Sequence, residues 1–227
     1  MADVGAGTGL LTLGALKRVG PDGDVIALDV SVDALEELRA HTGAANISYL
    51  IGQADVLPLR DASVDAVVTR SVLIYVEDKA EAAREFARVL VRGGRVSLFE
   101  PINRNNRLLT EAVDFGPLGE LGDRLGAWNE AFYADSDDPM LTFDESDLER
   151  FFTDAGLTDV HVDVGADEHE IPGQRYLNQV GAPGRPTLLE RWRDSFAPDD
   201  VDRLAAFITE RTVPARWPHA FVTARKP

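Results

Sequence analysis

Residues 3–9 read Asp3-Val4-Gly5-Ala6-Gly7-Thr8-Gly9, and a helical run begins at Leu10. The stretch joins a strand end to a helix through three alternate glycines. Glycine lets a backbone approach a ligand closely and adopt conformations closed to other residues. The helix start behind it presents backbone N–H groups with no partner inside the helix. A strand, a glycine loop and a helix in that order are the opening of an α/β fold with a ligand at the turn.

The chain beyond the loop keeps the same alternation through residue 102. Val25 to Asp29 reads as a strand, and Ser31 offers an N-cap for a helix through about Ala40. Ile47 to Ile51 and Val64 to Thr69 read as two further strands. Ala82, Phe86, Val89 and Leu90 form a helical stripe that stops at Gly93-Gly94, and Val96 to Phe99 returns as a strand. Short apolar runs alternating with helices predict a parallel sheet with crossover helices. From 103 to 141 the pattern loosens around Gly116, Pro117, Gly119, Gly122 and Gly126. Thr142 and Glu145 have capping-box spacing for a helix carrying Leu148, Phe151, Phe152 and Ala155, ended by Gly156. Val160 to Val164 alternates as a strand, and Pro172 to Pro186 reads as a loop. Leu188, Leu189 and Trp192 mark one helix, Val201, Leu204, Ala205 and Ile208 another, and Phe221 to Ala224 a last strand.

Composition narrows the function. The 227 residues hold 39 acids against 23 Lys and Arg, a formal charge of −16. Such a surface repels phosphate backbones and anionic membranes, so neither nucleic acid nor a bilayer is the expected partner. There are no cysteines, which excludes disulfides, thiolate nucleophiles and thiolate metal sites. The four histidines lack the paired spacing of a zinc site, and no metal is expected. No apolar run approaches the roughly 20 residues of a membrane span. The N-terminus does not read as a signal peptide, so the expected location is cytoplasmic.

Asp29 falls twenty residues after Gly9, at the tip of the second strand, where a carboxylate can accept both hydroxyls of a ribose. That spacing also suits a nicotinamide-dependent oxidoreductase. The dinucleotide fingerprint wants G-x-G-x-x-G, however, and the position that would complete it is Leu10.

Five motifs in register resemble the class I S-adenosylmethionine-dependent methyltransferases. They are residues 3–9, Asp29, Gln53-Ala54-Asp55-Val56-Leu57-Pro58-Leu59, Asp65-Ala66-Val67-Val68-Thr69-Arg70-Ser71, and Arg88-Val89-Leu90-Val91-Arg92-Gly93-Gly94-Arg95. The resemblance implies a Rossmann-like, doubly wound α/β fold: a mostly parallel seven-stranded sheet with an antiparallel last strand. It implies S-adenosyl-L-methionine as cofactor and methyl transfer to a small molecule by in-line displacement. The implied cofactor set is Asp3, Gly5, Ala6, Gly7, Gly9, Asp29, Val30, Asp55, Val56, Arg70 and Ser71. Asp55 would meet the adenine amino group, and Val56 its ring. The family carries residues ahead of the first strand, so the N-terminal part of the domain is expected to be missing here.

The whole chain is expected to form one methyltransferase domain. Residues 1–102 would be the cofactor core, 103–141 a lid insertion, 142–168 core again, 169–216 a second insertion and 217–227 the last strand. Trp128, Phe132, Tyr133, Tyr176 and Trp192 would enclose the acceptor, with 181–186 as a hinge. No residue is assigned a catalytic role. The candidates are Tyr75, Glu100 and His169, against blander readings of packing on the cofactor, pairing with an Arg and a surface position. Asp135, Asp137 and Asp138 read as a solvated acidic turn. A catalytically silent, ligand-binding relative is the alternative from another class. The sequence does not set the oligomeric state.

Overall fold

The computed structural model describes residues 1–134, 136–180 and 184–227. Asp135 of the acidic turn and residues 181–183 of the expected hinge lie outside the described residues. Seven strands form one sheet: β1 (Ala2–Val4), β2 (Val25–Asp29), β3 (Ile47–Ile51), β4 (Val64–Arg70), β5 (Leu90–Pro101), β6 (Thr158–Pro172) and β7 (Thr212–Arg225). Their order is β3-β2-β1-β4-β5-β7-β6. β1 to β5 pair in parallel, and β5 pairs with β7 antiparallel. The expected sheet, with its antiparallel last strand, is present.

The chain divides into two compact units. One comprises Met1–Arg104, Asp137–Gly165 and Pro218–Pro227, and the other comprises Asn105–Ser136 and Ala166–Trp217. In the first, helices α1 (Leu10–Val19), α2 (Val32–His41) and α3 (Lys79–Val89) alternate with the strands. Successive strand side chains point to opposite faces. Ala27 accordingly packs with Leu35 and Leu38 of α2, while its neighbour Leu28 joins the larger cluster with Phe86 of α3 and Phe152. The second unit contains α4 (Leu109–Ala112), α5 (Glu120–Ala134), α7 (Gly173–Asn178), α8 (Leu188–Ser195) and α9 (Pro198–Thr209), with α6 (Glu145–Asp154) returning to the first. Its own core joins Leu109, Leu125, Leu177, Trp192, Leu204 and Ile208.

Several expected boundaries shift. α3 ends at Val89, and Leu90 already pairs with Val64, so Gly93 and Gly94 lie inside β5. α6 is capped by Asp144, whose Oδ1 accepts the N–H groups of Ser146 and Asp147; Thr142 follows a short turn instead. The expected loop after Pro172 holds α7. A Cβ at Gly173 would strike the carbonyl of Ile208, and only glycine permits that approach. β7 starts well before Phe221 and runs through Pro214 and Pro218. Both prolines precede His219, the end of the β5 ladder, so their missing N–H groups break none of its bonds. Among the described residues no helix is long and apolar enough to cross a membrane.

Candidate active site

The chain leaves β1 for β2 and β3 on one side of the sheet, then crosses to β4 and β5 on the other. A crevice opens at the carboxyl ends of strands where the order reverses, here between β1 and β4. Gly5 follows β1 there, and Ser71 follows β4.

The glycine loop is tied to β2: Gly5 and Ala6 both donate to the carbonyl of Leu28, at 2.7 and 2.9 Å. All three glycines have positive φ, at 70°, 52° and 106°. At Gly5 a Cβ would strike Val72 Cγ2, and at Gly9 it would strike Leu38 Cδ1. At Gly7 it would meet nothing within 4 Å, so open space lies above the loop. Asp29 is half-buried. Its Oδ2 accepts the Gly7 N–H at 2.7 Å and its Oδ1 the Ser31 N–H at 2.9 Å. A carboxylate has about four acceptor positions, so roughly two remain for a ligand.

Asp3 lies deeper, 1% exposed. The Thr12 hydroxyl donates to its Oδ2 at 2.6 Å, while Oδ1 has no hydrogen-bond partner. Burial pushes its carboxyl up to about 6, the Thr12 contact works against that, and Asp29 adds to it. A buried carboxylate oxygen left without a donor suits a cationic ligand group.

Large apolar side chains stand exposed just past the strand ends: Val30 at 66%, Val56 at 70% and, at the start of α1, Leu10 at 69%. Asp55 is half-buried beside Val56. Their loop is pinned to α3 by two residues that sequence reasoning missed. Glu85 Oε2 accepts the Leu57 N–H at 2.7 Å, and Arg88 donates to the carbonyls of Leu57 and Leu59. Arg88 also holds the Glu85 carboxyl below the usual carboxylate range. Their i, i+3 spacing is visible in sequence; the loop they hold is not.

Arg70 ends β4 and Ser71 follows it. Arg70 lies over the Phe99 ring at 5.1 Å, and Ser71, at φ 56°, donates its N–H to the Phe99 carbonyl at 2.8 Å. Tyr75 is 49% exposed on the short 3-10 turn Leu73–Tyr75. Glu100 departs from the reading that pairs it with an Arg. It is 0% exposed and pairs with no Arg; its oxygens accept the N–H groups of Val72, Leu73 and Ile74. His169 lies within β6 rather than after it, in the second unit, exposed, with its ring 4.2 Å from that of Trp217.

The family of the methyltransferase domain matches residues 2–98. The ubiquinone/menaquinone biosynthesis C-methyltransferase UbiE of Hahella chejuensis is 31% identical over 162 residues, covering 68% of this chain and 65% of that protein. The chain thus spans just under two thirds of that relative. The YcgJ protein of Bacillus subtilis has the same fold at TM-score 0.61 and 18% identity, over 99% of this chain and 90% of that one. Phosphoethanolamine N-methyltransferase 2 of Haemonchus contortus, solved with S-adenosylhomocysteine, matches at TM-score 0.57 and 17% identity, over 100% of this chain and 49% of that one. Taken with the glycine loop, the strand-end carboxylate and the strand order, the match identifies residues 2–98 as a methyltransferase domain of the class I S-adenosylmethionine-dependent type.

Proposed function

We propose that the protein transfers a methyl group from S-adenosylmethionine to a small-molecule acceptor. The observation that carries this is the Asp29 carboxylate, aimed by two backbone N–H groups and left with acceptor capacity at the crevice. Two further features fit the cofactor: open space over Gly7 and the partnerless Asp3 oxygen. In this reading Asp29 takes the ribose hydroxyls, and the N–H groups of the Gly5–Gly9 loop and the Asp3 carboxyl face the methionine end. Asp55 and Val56 take the adenine, with Val30 beside them; Arg70 and Ser71 close the β4 side.

Bound S-adenosylmethionine supplies an electrophilic methyl carbon on a sulfonium. The chain's own task is to hold an acceptor in line with it and exclude water. Tyr75 is the exposed side chain on the β4 exit best placed to orient an acceptor. The formal charge of −16 supports a small molecule over nucleic acid.

Calorimetry with S-adenosylhomocysteine tests the reading. Asp29→Ala should weaken binding by about 1.5–3 kcal/mol, the scale of a hydrogen bond to a charged group, and NADH should not compete. Equal affinity in that variant removes the ribose assignment. Labelled cofactor with a metabolite panel then separates an enzyme from a silent binding module, which would bind and transfer nothing.

A further inference from the structure

The turn after β4 is held by buried charge at both ends. At its head, Glu100 Oε1 accepts the N–H groups of Val72 and Leu73 at 2.9 and 3.0 Å, and Oε2 accepts that of Ile74 at 3.2 Å. At its foot, Lys79 donates from Nζ to the Val76 carbonyl at 2.7 Å. Glu100 is 0% exposed and Lys79 only 4%. Both depart from their ordinary titration in the direction burial dictates. Glu100 is pushed up to about 7 against the pull of its three amides and Lys79, and Lys79 is pushed down. Burying two opposite charges seldom gains stability over an apolar filling. What it gains here is one defined course for residues 71–76, entered through the left-handed Ser71.

That course matters to the cofactor loop. Val72, whose N–H Glu100 receives, puts its Cγ2 where a side chain on Gly5 would be. Gly5 in turn holds its own N–H on Leu28. The relay therefore runs from the Glu100 carboxylate through Val72 to the first glycine, and Tyr75 rides on the same turn. We infer that Glu100 is a positioning residue that locks the acceptor-side turn 71–76 to the cofactor loop at Gly5, so that the two sides of the reaction are held in one register.

The inference rests on the reading of Gly5–Gly9 as the cofactor loop, and the test separates the two. Glu100→Gln keeps the size but turns one acceptor oxygen into an amino group facing a backbone N–H. Hydrogen exchange on the ligand-free protein reports the coupling alone. The amides of residues 72–74 and of Gly5 should exchange together about tenfold faster, the effect of losing about 1.4 kcal/mol of protection. Calorimetry should show the S-adenosylhomocysteine Kd rising about tenfold, with little change in Tm. A variant with lower Tm but unchanged Gly5 exchange and unchanged Kd has lost only a structural prop, which overturns the inference. Should Glu100→Gln fail to fold, Val72→Ala leaves Glu100 and its amides intact while removing the contact at Gly5. Faster Gly5 exchange in that variant supports the relay, and unchanged exchange overturns it. Failure of the parent protein to bind S-adenosylhomocysteine would instead remove the proposed function, and the exchange result would still decide the coupling.

Discussion

The first unit buries Asp3, Thr12, Thr69, Lys79 and Glu100, whereas among the described residues of the second only Asn129 is a buried polar side chain of that kind. The second is held by rings and aliphatics. Trp192 is 0% exposed, Phe115 and Phe207 lie 5.4 Å apart, and Trp128 meets Phe196 at 5.9 Å. Tyr176 in that unit is pushed up to about 12 by burial, with Tyr133 adding to it, and so keeps its proton. The contrast separates two ways of using an interior. Packing alone gives a stable body, while buried charge, costly by itself, fixes the path of a particular loop. In the first unit the buried acids sit where loops must be aimed.

The largest test of this contrast lies in the aromatic core. Trp192→Ala should cost about 3–5 kcal/mol of stability, the range for emptying a large aromatic from a core, measured by denaturant unfolding. Hydrogen exchange should localise the loss to α8 and α9 and leave β1, β2 and β4 protected. Loss spread evenly over both units would break the comparison. The next effect is one of pH and belongs to the first unit. Asp3 has a folded value raised from 3.8 to about 6. Its contribution to stability is fully present below pH 3.8 and is lost as pH rises through about 6. The difference amounts to about 3 kcal/mol. Asp3→Asn should flatten the stability profile between pH 4 and 6, and an unchanged slope would show that Asp3 is not its source.

A smaller pair of effects sits in the glycine loop. Gly7→Ala should lose about 1–2 kcal/mol from its left-handed backbone alone, since its methyl meets open space. Gly9→Ala should lose more, because the methyl also strikes Leu38; equal losses in thermal melts would deny that clash. The smallest effect is on the surface of the second unit. Arg124 pairs with Asp200 at 2.9 Å, but its side chain is 49% exposed. Arg124→Ala should change stability by less than about 1 kcal/mol, and a larger loss would mean that this unit leans on charge after all.

How far the sequence could be read follows from the same physics. β2, β3 and α2 were legible to the residue or nearly so, because apolar period and the Ser31 cap act locally. The glycine loop and Asp29 were legible as a pair through their spacing. The start of α6 was not: Thr142/Glu145 and Asp144/Asp147 have the same spacing, and only the folded chain shows that Asp144 receives the N–H groups. Glu100 read as a substrate-side acid because its partners, residues 72–74, approach it only in the sheet. Glu85 and Arg88 are a commonplace helix pair until the loop at Leu57 and Leu59 folds onto them. β6 was seen as five residues instead of fifteen because its pattern is mostly exposed and gives little alternation.

β6 closes one margin of the sheet, and an edge strand of that length is a template on which another chain can grow. Asp159, Asp163, Asp167, Glu168 and Glu170 recur along it, so a second copy approaching in either direction brings acid against acid. The guard is electrostatic and therefore conditional on ionic strength. At about 1 M salt the Debye length shrinks to about 3 Å, and the repulsion no longer reaches across a strand spacing of about 4.8 Å. Self-association of this protein should therefore rise, not fall, as salt is added.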